Sequence, residues 1–167
     1  MKEQEIDRIA TMIYEAPLGE YIGREGAGIL AEHVASERRL MGDEFLYRKG
    51  EEARSFYIVT EGRLALVRER NNVGKEIIVH VLEKGDLTGE LSFIDQLPHT
   101  LSARALGEAA VLCFDADDIK PLITEHPTLI FNFMRAVIKR VHTVVATVGE
   151  HEMELRQYIA TGGRGRG

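Results

Sequence analysis

Two short stretches hold the residues best placed to do chemistry. In Gly85-Asp-Leu-Thr-Gly-Glu-Leu91 a carboxylate, Glu90, directly follows a glycine. Glycine tolerates a left-handed backbone, so a tight loop can turn an acceptor and nearby N–H donors toward one small space. Further on, Pro98-His99-Thr100 adds an imidazole and a hydroxyl. Glu90 reads either as an acceptor inside a pocket or as a solvated carboxylate closing a turn. His99 reads either as an anion contact that strengthens as pH falls, or as a pocket-mouth histidine without a ligand. Neither stretch is a catalytic set. The 6 histidines are scattered, no His-x-His pair exists for a metal, and no nucleophile–base signature is present.

Composition narrows the classes further. The chain has 167 residues, 44% apolar and 29% charged, enough for one domain with a real core. A formal net charge of -6 argues against nucleic acid or an anionic membrane as default partner. No apolar run approaches the roughly 20 residues that span a bilayer. The charged start, Met1-Lys-Glu-Gln-Glu-Ile-Asp7, lacks the apolar segment of a signal peptide, so a cytoplasmic location is expected. Cys113 is the 1 cysteine, which excludes intramolecular disulfides, and its place in Val-Leu-Cys-Phe predicts buried packing.

The elements that must hold those residues fall into three zones. Residues 1–40 read as helices: Ile6, Ile9, Ala10 and Ile13 recur at helical spacing, and Pro17 with Gly19 breaks the run. Residues 41–115 change to short β-rich runs at 56–59, 63–67, 76–82, 101–106 and 110–114, separated by turn signals such as Glu61-Gly62, Asn71-Asn72-Val73-Gly74 and Lys84-Gly85-Asp86. Such strands predict an antiparallel roll. Residues 116–160 are helical again, with His126-Pro127 as a break. From there Ile130, Met134, Val137, Val141, Val144, Val148, His151, Leu155 and Tyr158 step by alternating fours and threes. That is a heptad seam, and a helix of some 30 residues would outrun one small β-domain and need a second chain. Residues 161–167, rich in glycine, read as a flexible tail. The expected fold is mainly β with flanking helices: one domain over 1–160, an antiparallel β-roll or jelly roll with a long C-terminal helix.

Taken in order, Tyr47-Arg-Lys-Gly-Glu51, Phe56-Tyr-Ile-Val-Thr-Glu-Gly62, Gly85 to Leu91, Pro98 and Ala103-Arg-Ala105 resemble the cyclic-nucleotide-binding domain, including the bacterial catabolite-activator class of regulators. The resemblance covers about residues 20 to 150. It implies that Gly89 is the loop glycine, that Glu90 accepts the ribose 2′-hydroxyl and that the Leu91 amide faces a cyclic phosphate, with Thr100 beside it. Cyclic AMP or cyclic GMP is then the expected ligand. The family's phosphate-binding arginine is replaced by His99, which cannot form the bidentate fork. Val144 and Val145 stand where the catabolite-activator class uses two hydroxyl side chains against adenine. His80, on the Ile78 and Leu82 face of its strand, either lines the base end of the cavity or packs as an ordinary histidine. Arg104 is expected to face solvent, as are most of the Glu and Arg groups of the long helix.

The resemblance implies a sensor or regulatory domain and not an enzyme, with no metal and no catalytic residue. It would bind a cyclic nucleotide or a related small anionic ligand, signal through its C-terminal helix, and dimerise through Ile130, Met134, Val137, Val141, Val144, Val148 and Leu155. The alternative is a dimerisation or protein-interaction module that has lost the ligand. Catabolite-activator relatives continue into a helix-turn-helix domain. This chain stops at Gly167 with a negative net charge, so direct DNA binding is not expected.

Overall fold

The structure, a computed structural model, describes residues 2–69 and 74–160, without the side chains at 147, 148, 151, 152, 154, 155 and 158. The expected turn at 71–73 and the tail at 161–167 lie outside the described residues. Helix α1 (Glu3–Glu15) buries Ile9 and Ile13. Helix α2 (Gly19–Glu32) buries Ile22, Ala27, Leu30 and Ala31 and bends at Gly23, where φ is 66°. These form one apolar face because residues three and four apart stack on a helix.

The strands are β1 (Ser36–Leu40), β2 (Phe45–Tyr47), β3 (Ser55–Glu61), β4 (Leu64–Glu69), β5 (Glu76–Leu82), β6 (Leu87–Thr88), β7 (Ser102–Ala105) and β8 (Ala109–Asp115). They pair antiparallel in two sheets, ordered β1-β8-β3-β6 and β2-β7-β4-β5, which is the jelly roll expected. Alternation divides the core in two. Phe56 and Ile58 of β3, with Leu112 and Phe114 of β8, face the helices. Val59, Val111 and Cys113 face inward, against Leu46, Tyr47, Leu64, Leu82 and Ala103. Both faces of β8 are covered, so its sequence is apolar without alternation and Cys113 is buried.

The roll begins earlier than its sequence boundary of 41. Strand β1 is Ser-Glu-Arg-Arg-Leu, with only Leu40 buried, and it forms because it pairs with β8 in register Ser36↔Cys113 to Leu40↔Ala109. Helix α3 (Glu90–Asp95) follows β6, and α4 (Ala116–Ile119) and α5 (Leu122–Glu125) follow β8. Arg104, expected in solvent, is instead held on the outer face of β7 by Glu76 at 2.8 Å and Asp43 at 3.1 Å.

The long helix α6 (Pro127–Ala160) has 34 residues, about 51 Å at ~1.5 Å per residue. Its apolar seam needs correcting. Val137 is buried in this chain's own core, and Ile130 and Met134 pack against that core. Val141 and Val144 line a cavity, while Val148, His151, Leu155 and Tyr158 lie outside the described side chains. The helix docks on the roll so that Val137 is buried and Ile130, Met134, Val141 and Val144 are half-buried. What it turns outward is the stripe one position along: Phe131, Ile138 and Val145 are exposed by 65%, 53% and 63%. Among the described residues, no helix is long and apolar enough to cross a membrane.

Candidate ligand-binding cavity

The Gly85–Leu91 stretch folds as the turn residues require. Gly85, with φ of 92°, turns the chain into β6, and Gly89, with φ of 76°, turns it again into α3. A Cβ on Gly89 would lie 3.2 Å from the Ser55 carbonyl oxygen and 3.4 Å from both the His99 and Tyr57 rings, so a side chain there would be strained by the positive φ and would crowd that carbonyl. The turn brings Thr88 and Glu90 inward, and both are buried.

Beside this turn lies a cavity of about 250 Å³. Gly89, Glu90, Leu91, His99, Thr100, His80, Val144 and Val145, the eight positions singled out in the sequence, all line it. Segments far apart in the chain converge here: the β6–α3 turn, the loop before β7, strand β5 and helix α6. Leu66, Val79, Leu101 and Val141 supply further apolar wall. A groove of about 1070 Å³ runs between α3, α4 and the start of α6, but its charged residues are all exposed and it touches none of the eight.

Four polar residues of the cavity were not singled out. Tyr47 and Ser92 line it, as does Thr88, whose Oγ1 shares a hydrogen bond with Tyr47 Oη. Burial pushes the Tyr47 phenol up to about 12, so it stays protonated. The fourth is Arg140 of α6, whose Nε sits 3.5 Å from Glu90 Oε1. Its side chain is only 20% exposed, unlike the solvated face expected for most of the charged residues of the helix. One signal pointed to it: Arg140 lies one turn before Val144, on the same helix face. Tyr47 had no such signal, because only the β2–β7 pairing brings it to the cavity.

His99 is 5% exposed, and its ring stacks on Tyr47 with centroids 3.7 Å apart and planes 12° apart. Its backbone is clamped on both sides: the His99 N–H donates to Glu51 at 3.1 Å and its carbonyl accepts from Gly50 N–H at 2.8 Å. Burial holds the imidazole below its ordinary pKa, and Glu51 opposes that in part. The sign of the linkage follows. The folded state resists protonating His99, so the unfolded chain binds more protons, and stability falls as pH drops below the ordinary histidine value of about 6.5. His99→Asn is expected to reduce the loss of urea midpoint between pH 7.5 and 5.5 (pH values about the ordinary pKa of 6.5). An unchanged loss would mean that the acid sensitivity lies elsewhere.

Glu90 and Arg140 join α3 to α6 through polar atoms, and an aromatic cluster joins the same helices through the core. Phe93 of α3 meets Phe56 edge-on at 5.1 Å, and Phe133 of α6 meets the same ring at 5.1 Å. Among the described residues, no group of three or more His, Cys, Asp or Glu is placed to hold a metal ion.

Comparison with known proteins bears on the family and the fold. The family model of the cyclic nucleotide-binding domain matches residues 37–126. The anaerobic regulatory protein of Bacillus subtilis (strain 168) is 25% identical over 107 residues, covering 64% of this chain and 44% of the relative. A CRP-like cAMP-activated global transcriptional regulator of Mycobacterium tuberculosis (strain CDC 1551 / Oshkosh) is 26% identical over 95 residues, covering 57% of this chain and 42% of the relative. The matches therefore span less than half the length of these curated relatives. Among solved structures, the N-terminal domain of a transcriptional regulator from Streptomyces coelicolor A3(2) superposes with a TM-score of 0.68 at 28% identity, covering 82% of this chain and 94% of that one.

Proposed function

The chain belongs to the cyclic nucleotide-binding domain family, and from that premise we propose that it is a small-molecule sensor whose cavity takes a ribosylated base, cyclic nucleotides being the phosphorylated members of that class. One observation carries this reading: the eight positions read from the sequence meet at a single cavity walled by both α3 and α6. Glu90 is then the hydroxyl acceptor, Gly89 and Leu91 form the loop around the sugar, and Val144 and Val145 cover the base. A ligand touching Glu90 also touches the partner of Arg140, so occupancy is felt by α6. The signal requires that the ligand bind one arrangement of α6 better than another.

Homodimerisation through α6 is part of the proposal, along the corrected stripe. Phe131, Ile138 and Val145 recur every seven residues, and Met134 and Val141 fall between them at heptad positions. Ile138→Glu is expected to give monomers by light scattering at tens of micromolar protein, where the unmodified chain is a dimer. An unmodified chain already monomeric at that concentration would sink the dimer.

The sensor reading is tested by calorimetric titration of ligand-stripped protein with cyclic AMP, cyclic GMP and the parent nucleosides. Saturable micromolar binding with thermal stabilisation is expected. No heat and no thermal shift at millimolar ligand would instead favour a dimeric interaction module without ligand. The Glu90–Arg140 pair, which satisfies the cavity's own charges, is the observation on that side.

A further inference from the structure

The charges on the cavity wall say more about its occupant, provided that the sensor reading holds. Among the described residues, the permanently charged side chains there are one carboxylate, Glu90, and one guanidinium, Arg140, which pair at 3.5 Å and sum to zero charge. His99 occupies the position where an arginine would add a second cation, and burial favours its neutral form. Its ring lies flat against Tyr47, and the Tyr47 and Thr88 hydroxyls are committed to one another. The remaining wall is largely apolar: Leu66, Val79, Leu101, Val141 and Val144. A phosphodiester placed here would leave the lining side chains with one excess negative charge. A charge taken even partly out of water without a counter-ion is costly.

We propose that the cavity selects an uncharged nucleoside over the corresponding 3′,5′-cyclic nucleotide. The carboxylate supports the same choice. A nucleoside carries free 2′- and 3′-hydroxyls, two adjacent donors for one carboxylate, whereas the cyclic phosphate esterifies the 3′-oxygen and leaves one. Glu90 accepts both while it stays paired with Arg140, so the ion pair to α6 need not break. The base lies against the apolar wall, where the two valines of α6 replace polar readers. The whole occupant is then neutral, like the wall that receives it.

The test is equilibrium binding to the full chain at pH 8, with adenosine and guanosine measured against cyclic AMP and cyclic GMP. At least one nucleoside is expected to bind tenfold or more tightly than its own cyclic phosphate, and its 3′-deoxy analogue to bind at least threefold more weakly. His99→Arg, which supplies the missing cation, is expected to raise the affinity for the cyclic nucleotide at least tenfold relative to that for the nucleoside. A cyclic nucleotide that binds the unmodified chain as tightly as its nucleoside overturns this inference and leaves the sensor reading standing. Absence of binding by all four compounds at millimolar concentration overturns both.

Discussion

Phe56→Ala is expected to lower the unfolding free energy by about 3–5 kcal/mol, the range for a fully buried phenylalanine cut to a methyl group. Phe56 is 0% exposed and touches three other rings. It stacks on Phe114 of β8 with centroids 4.7 Å apart and planes 4° apart, and it also meets Phe93 and Phe133. Removing the ring opens a void between sheet and helices that the rigid strand β3 cannot close, and it also forfeits the aromatic contacts. Urea unfolding followed by circular dichroism measures the loss directly. For a domain of this size, a shift of about 2–4 °C in Tm accompanies each kcal/mol, so the melting point should fall by roughly 10 °C. Phe56→Leu fills part of the void and should cost clearly less. A change below about 1 kcal/mol for the alanine variant would mean that the cluster does not form, and α3 would lose its apolar link to α6.

Glu90→Gln is expected to weaken ligand binding by about ten- to a hundredfold, since a hydrogen bond to a charged group contributes roughly 1.5–3 kcal/mol. The substitution keeps the shape and removes the charge, so loss of affinity reports on the carboxylate and not on packing. It also leaves Arg140 without its partner, and the cavity then carries a net positive charge. On the charge count above, the nucleoside suffers the loss and a cyclic nucleotide suffers less, because its phosphate answers the freed guanidinium. Calorimetry on both ligands separates the two effects. Equal affinities for the variant and the unmodified chain would remove Glu90 from the site, whatever the ligand. The effect on folding should be smaller, because the Arg140 side chain retains 20% exposure and can reach water.

The site was more legible in the sequence than its supports were. Gly85 and Gly89 could be read because a positive φ leaves a chemical mark: glycine recurs where other residues are strained. Strands β3, β4, β5, β7 and β8 could be read because their apolar runs are bounded by turn residues. Strands β1, β2 and β6 could not. Ser-Glu-Arg-Arg-Leu has no strand pattern, and β6 is two residues long, so both exist through their partners, β8 and β3. Arg140 was hidden for a related reason. On a long helix with many charged residues, only its place one turn before Val144 separates the arginine that turns into a cavity from those that turn to water.

The sequence by itself determined the roll, the order of its turns, the long helix, and eight residues that belong together. The roll, its turns and the helix depend on local physics, periodicity of burial and glycine's access to left-handed backbone, whereas the eight residues were grouped by the resemblance to a known family. The tertiary structure alone decided which stripe of α6 faces the roll, so that Val137 is core and Ile138 is exposed. It alone stacked His99 on Tyr47 and paired Arg140 with Glu90. A heptad pattern records that a helix has an apolar side, but the angle at which it docks is set by packing against distant strands. The net charge of a cavity is likewise a sum over residues far apart in the chain, and only the fold performs that sum.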